Sequence, residues 1–235
     1  MATPKKEGNK GKEVELRGNV QDALTRSEQF IEKNQRNILI AVGVIILIVC
    51  PVLAYRNLYL LPKEKEAEAR IFKAQQYFER DSFQLALTGN EEFIGFEEIN
   101  DKYGSTKTGK LANVYIGLCY KELGEYDNAM KYLKDFNAND EMISPSVIVS
   151  IGDCYVEAGK IKEAIDYFLK AASAANNDLI SPFALKKAAV AYEELKEYDK
   201  AVNVYTQIKD KYFNSSEGYN IDKYIDRAKA LSEKK

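Results

Sequence analysis

The residue types that usually carry covalent or proton-transfer chemistry are sparse in this chain. Histidine is absent from all 235 residues, which removes the commonest general base and the commonest metal ligand together. Three cysteines stand at positions 50, 119 and 154 with no C-x-x-C pair, so neither a zinc site nor a disulfide framework is indicated. Cys119 and Cys154 read as small buried hydrophobes. Carboxylates pair at Glu97-Glu98 and Glu193-Glu194, but neighbours on a helix point about 100° apart and cannot share an acid/base site. The chain has no G-x-S-x-G, P-loop, H-E-x-x-H or dinucleotide glycine fingerprint. We therefore expect no catalytic residue, no cofactor and no metal, and look for the chemistry of non-covalent binding.

The elements that would position a binding surface fall into two unlike parts. Ile38 to Tyr55, ILIAVGVIILIVCPVLAY, carries no charge. As a helix its eighteen positions reach roughly 27 Å, near the thickness of a bilayer's hydrocarbon core. Leu58, Tyr59, Leu60 and Leu61 add a further apolar turn, and Tyr55 and Tyr59 suit the interface. No small-x-small cleavage site follows, so residues 38–61 read as an uncleaved signal anchor, with a kink at Pro51. Before it, residues 1–15 read as a disordered tail, and residues 16–37 as an amphipathic helix that rests on the bilayer or is simply solvated. Eight Lys and Arg precede the span and five follow within 20 residues, so the charge rule is nearly balanced. We expect the tail inside and the following domain outside. A net charge of −2 argues against a nucleic-acid partner, and nothing specifies an oligomeric state.

Residues 63–235 read as helical throughout, with apolar residues at intervals of three and four and breaks at Gly, Asn, Ser or Pro. They also repeat. Gly117, Tyr120, Gly124, Tyr126 and Ala129 recur 35 residues on as Gly152, Tyr155, Gly159, Ile161 and Ala164. Ala189, Tyr192, Lys196, Tyr198 and Ala201 follow at an offset of 37, and a degenerate copy, Ala74, Tyr77, Phe83 and Ala86, lies 43 before the second. This pattern resembles the tetratricopeptide repeat, with a small residue at position 8, Tyr at 11, Gly at 15, an aromatic at 17 and Ala at 20. The expected fold is all-α: a solenoid of about four helix pairs and a capping helix, Tyr219 to Lys235. Small residues at 8 and 20 let paired helices approach. Gly124 and Gly159 can take the positive φ that closes the first helix, whereas Lys196 should make its turn more strained or longer. The second helix of the first repeat should be interrupted by an insertion near Gly89 to Gly95.

The resemblance also implies where a partner would sit. In this fold the first helix of each repeat lines a concave surface through positions 2, 5, 9, 12 and 13. Those positions hold Ile71, Gln75, Phe78 and Glu79 in the first repeat; Leu111, Val114, Leu118, Lys121 and Glu122 in the second. The third gives Ser146, Val149, Asp153, Val156 and Glu157, and the fourth Phe183, Lys186, Val190, Glu193 and Glu194. Repeats that clamp a C-terminal carboxylate use Lys at 5 and Asn at 9. Val114 with Leu118, and Val149 with Asp153, replace them, so that clamp is absent. What remains is an apolar strip edged by glutamates, which either receives a hydrophobic or basic segment or is covered by neighbouring helices and the cap.

Further stretches carry a narrower resemblance: Asp22-Ala-Leu and Glu28-Gln-Phe-Ile-Glu-Lys33 before the span, then Gln75 to Phe83, Asp101 to Thr106 and Gly218 to Tyr224. Together they look like the membrane-anchored tetratricopeptide proteins of Bacteroidetes-type bacteria, similar in architecture to the ancillary subunit of the Sec translocon. That resemblance implies a single-pass inner-membrane protein with a periplasmic, non-catalytic domain. Its partners would be proteins, namely a translocon, a chaperone or an emerging polypeptide, besides the lipid bilayer around the span. A scaffold for an envelope-assembly complex and a cytoplasmic-facing organiser at the inner membrane remain open as alternatives.

Overall fold

Small residues at fixed intervals set how closely the helices approach, and the computed structural model, which describes residues 33–137 and 140–234, places them at each close contact. The expected tail and most of the expected amphipathic helix lie outside the described residues. The chain divides into two compact units between Tyr59 and Leu60. In the first, α1 (residues 33–54) carries the apolar run and leads into a π-helical turn at Tyr55–Leu60. The helical pattern runs on through Pro51, and the departure from regular bonding comes at this turn instead, with Tyr55 stacked on Tyr59 at 5.3 Å. The helical stretch is long and apolar enough to cross a membrane, and its apolar window is not buried within the molecule.

The second unit is a row of antiparallel helix pairs. α5 (Lys107–Glu122) pairs with α6 (Tyr126–Asp135), α7 (Ile143–Glu157) with α8 (Ile161–Ala175), and α9 (Ile180–Glu194) with α10 (Tyr198–Lys211). After a 3-10 turn at Gly218–Asn220, α11 (Ile221–Ser232) lies on α10 as a cap, burying Ile221, Ile225 and Ala228. Paired helices approach closely at Gly117 of α5, against Leu133 of α6, and at Gly152 of α7. A Cβ at Gly152 would sit 2.6 Å from the Phe168 ring of α8, below any tolerable contact.

One device closes the first helix of every repeat. Glu125 N–H donates to Tyr120 O at 2.8 Å, Lys160 to Tyr155 at 2.8 Å, and Glu197 to Tyr192 at 2.9 Å, each with a shorter loop bond inside it. This is a Schellman closure, which needs one left-handed residue. Gly124 and Gly159 supply it at φ of 80° and 72°, and Lys196 at 59°. The turn with lysine is therefore the same length as the others and carries the strain of a side chain in the left-handed region. The first repeat closes likewise: Ser82 N–H reaches Tyr77 O at 2.9 Å, with Asp81 at φ 58°.

That first repeat departs from the rest in its second half. α2 (Leu61–Phe78) is followed by α3 (Phe83–Thr88), then a hairpin of two-residue strands, β1 (Gly89–Asn90) and β2 (Phe93–Ile94), then α4 (Phe96–Tyr103). The expected interruption is present, but its content is antiparallel pairing, Gly89 with Ile94 and Asn90 with Phe93, where helix alone was expected. The hairpin turns Phe93 onto Tyr77 (4.7 Å, stacked) and delivers Phe96 onto Tyr115 of α5 at the same spacing. It thereby fills the core that a longer helix would have filled.

Candidate interaction groove

The first helices of successive repeats stand side by side, and the C-terminal halves of α5 and α7 with one face of α9 along most of its length leave a groove of about 680 Å³. Its accessible apolar floor is Val156, Phe183 and Val190, with the buried side chains of Phe168 and Ala191 beneath them. Five carboxylates, Glu122, Asp153, Glu157, Glu194 and Glu217, face three lysines, Lys121, Lys186 and Lys187. Lys187 is committed: its Nζ donates to Asp153 Oδ1 at 2.9 Å and lies 5.2 Å from the Phe183 ring centre. Lys121 pairs with its neighbour Glu122 at 2.9 Å. Lys186 lies over the Tyr224 ring of α11 at 4.8 Å. With its lysines engaged in this way, the groove presents an apolar floor under a net negative rim.

Nine of the expected concave residues line this groove: Lys121, Glu122, Asp153, Val156, Glu157, Phe183, Lys186, Val190 and Glu194. Four expectations are corrected, three because the residue is core and Glu193 because the cap takes it up. Ile71, Val114 and Val149 are 5%, 6% and 5% exposed and belong to the core. Val114 packs with Ala129, Leu133 and Ile151, and Val149 with Phe168 and Ala184. In the second and third repeats position 5 looks not into the groove but into the seam between adjacent repeats, whereas Lys186, at the same position of the fourth, lines the groove. Leu118 is half-buried against the Val114 cluster, and Phe78 is half-buried against the rings of Phe83, Phe96 and Tyr115. Glu193 is taken up by the cap: Arg227 of α11 donates to both its oxygens, at 3.0 and 2.8 Å.

Sequence reasoning missed Tyr126, Phe168, Lys187, Ala191 and Glu217. A usable signal existed for Lys187. Asp153 and Lys187, and Glu193 and Arg227, each stand 34 residues apart. Opposite charges separated by one repeat period are side by side in a solenoid.

The groove carries no cysteine on its lining. The two cysteines nearest it are inert: burial pushes Cys119 up from 9.0 to about 12, helped by the carboxylates of Glu122 and Glu97. Burial likewise raises Cys154 to about 11. Among the described residues no group of three His, Cys, Asp or Glu gathers in a way that could hold a metal ion.

Helix pairs closed by one turn device, small residues at the crossings and a concave row of first helices decide the fold. The array is a tetratricopeptide repeat solenoid. Tetratricopeptide repeat family models match residues 112–140, 145–178 and 184–215. A stretch of 101 residues is 32% identical to a TPR repeat-containing protein of Methanocaldococcus jannaschii. It covers 41% of this chain and spans 17% of that relative's length. Two crystal structures of kinesin-light-chain-type TPR-like repeats from Podosopora anserina, one of them a point variant, superpose with TM-scores of 0.57 and 0.56. They are 13% identical, over 73% of this chain and 89% of theirs, a likeness of fold. Tetratricopeptide repeats generally serve as non-catalytic protein-interaction scaffolds, and this chain carries such a module.

Proposed function

We infer that this protein is a membrane-tethered adaptor whose groove between α5, α7 and α9 holds a segment of another protein. The groove's composition carries the reading: Val156, Phe183 and Val190 offer apolar contact under a rim where carboxylates outnumber lysines. A segment with apolar side chains on one face and basic ones along its edge fits that surface. An apolar strip of this kind gains nothing from water and up to about 1.5 to 3 kcal/mol for each large side chain fully buried.

The apolar run of α1 anchors this module to the inner membrane as a single pass, with the tail cytoplasmic and the repeats periplasmic. In that compartment the segment belongs to a subunit of the secretion translocon, to a chaperone beside it or to the polypeptide emerging from it. The resemblance to membrane-anchored tetratricopeptide proteins supports this choice, and a scaffold for envelope assembly is the second reading.

A photo-crosslinking amino acid at position 156 or 190, in intact cells, tests the adaptor. Capture of translocon subunits, chaperone or nascent chain is the expected result. Capture of envelope-synthesis proteins instead would replace it with the scaffold. Crosslinks from exposed Lys131 on α6 but none from 156 or 190 would move the binding surface away from the groove.

A further inference from the structure

The loops between repeats carry apolar side chains that the solenoid does not use. Met142, at the start of α7, is 45% exposed, and Leu179, at the start of α9, is 64% exposed. Beyond the end of α10, Phe213 is 65% and Tyr219 85% exposed. A loop whose task is only to turn is served by polar residues, so large apolar side chains at three successive inter-repeat loops ask for a partner.

Contacts place these loops at one end of the array, and place the start of α2 there too. Glu64, in the first turn of α2, accepts from Lys107 N–H at 2.7 Å and Thr108 N–H at 3.1 Å, at the start of α5. Lys107, Lys110 and Leu111 of α5 share a cavity with Asp140 and Ile143 at the start of α7. The Met142 sulfur lies 3.9 Å from Asn177 Nδ2, just before α9. α10 returns antiparallel to α9 and brings Phe213 and Tyr219 to the same end, where Lys209 pairs with Asp222 of α11 at 2.7 Å. The first helices of all four repeats therefore begin at one end. It is the end where the second unit begins, at Leu60, directly after the apolar run in sequence.

We propose that this end is a membrane-docking surface. Met142, Leu179, Phe213 and Tyr219 insert at the headgroup level of the bilayer that α1 spans. The proposal rests on reading α1 as a membrane span. Only about 5 Å of helix separates Leu61 from Glu64 at 1.5 Å per residue, so the loops are tethered beside the bilayer. Tethering makes even weak contacts effective by raising local concentration. Phenyl and phenol rings favour the interface, where one part is apolar and another wet. The charges at this end are mixed: Asp140, Glu141 and Asp178 in the loops, with Lys107 and Lys110 on α5 and Lys209 and Lys211 on α10. Docking is thus apolar and indifferent to anionic lipid, unlike the polybasic mode.

The test uses the full chain in phosphatidylcholine vesicles containing brominated lipid. Cys50→Ser leaves only the buried Cys119 and Cys154. An environment-sensitive thiol probe is then placed singly at Leu179→Cys or Tyr219→Cys. Glu125→Cys and Lys160→Cys report the opposite end, and Val44→Cys reports the span. Quenching at 44, 179 and 219 but not at 125 or 160, unchanged by salt or by added anionic lipid, is the expected result. Quenching at 44 alone would overturn the docking while leaving the span in place. Equal quenching at both ends would also overturn it. A blue shift at 179 and 219 without quenching would mean that protein covers this end instead, against the proposal. No quenching at 44 would remove the span and the proposal together.

Discussion

Gly152→Ala is the sharpest probe of how the repeats pack. The added Cβ would lie 2.6 Å from Cε1 and 2.8 Å from Cδ1 of Phe168. Phe168 is 1% exposed and packed among Ala164, Leu185 and Tyr205, so the ring cannot swing into solvent. Either α7 and α8 spread or the ring leaves its rotamer, at a cost of about 1 to 3 kcal/mol. Against this, replacing glycine by alanine inside a helix returns about 1 kcal/mol of propensity. The difference is a net loss of up to about 2 kcal/mol. For a domain of this size that is a fall in melting temperature of up to about 8 °C, read by far-ultraviolet circular dichroism. The reasoning fixes a change of sign as well. In a Phe168→Leu background the obstructing ring is gone, and Gly152→Ala should become neutral or stabilising by up to about 1 kcal/mol. Equal shifts in the two backgrounds, additive within about 0.5 kcal/mol, would refute the assignment of Phe168 as the limiting neighbour.

Other outcomes follow from individual residues. Lys196→Gly removes a side chain from φ 59° and should stabilise by about 1 kcal/mol after glycine's own entropy is set against the strain; a melting temperature that falls would mean the lysine's contacts outweigh that strain. Val156→Glu with Val190→Glu should abolish crosslinking to partners, a loss above about a hundredfold, with the fold retained and melting lowered only by the cost at partly buried Val156; Val149→Glu, in the core, should unfold the domain instead. Cys119 and Cys154 ionise near 9.0 when unfolded, and when folded only near about 12 and about 11. Folding therefore favours the protonated thiols, and that share of stability is complete below pH 9, shrinking as pH rises towards the folded values. Denaturant titrations at neutral pH and at about pH 10 should show the decline, and Cys119→Ala with Cys154→Ala should flatten it.

The pair architecture was legible because its determinants are local in sequence. A small residue at 117, 152 or 189 and a tyrosine three positions later mark each crossing, and Gly124 and Gly159 mark the turns. Asp81 shows the limit of residue type as a guide: it takes the left-handed position without being glycine. The groove was legible only in part, because helical periodicity assigns a face and not what covers it. Val114 and Val149 share a face with residues that line the groove, yet they point at the seam where the next repeat arrives. That arrangement depends on the rotation between repeats, which no single repeat encodes. Glu193 was misplaced for a related reason, since its cover, Arg227, comes from the cap one period away. The hairpin at 89–94 escaped notice because strands of two residues leave no alternation to detect.

Glu64 has a mechanical consequence. Its carboxylate accepts from Lys107 N–H, Thr108 N–H and the Thr108 hydroxyl, the last at 2.8 Å, so the first helix of the array is fastened to the second repeat as well as to its own. Tension arriving at Leu61, from a partner drawn away while the other end of the chain is held, passes at once into α5. The irregular first repeat, with its short helices and two-residue strands, then shares that load with α5, since α2 packs on both. To peel the array from its attachment, α2 must break three bonds to α5 and give up its apolar packing in the same step. Rupture then needs the joint to fail as a whole, where a chain fastened only within its first repeat would unzip piece by piece.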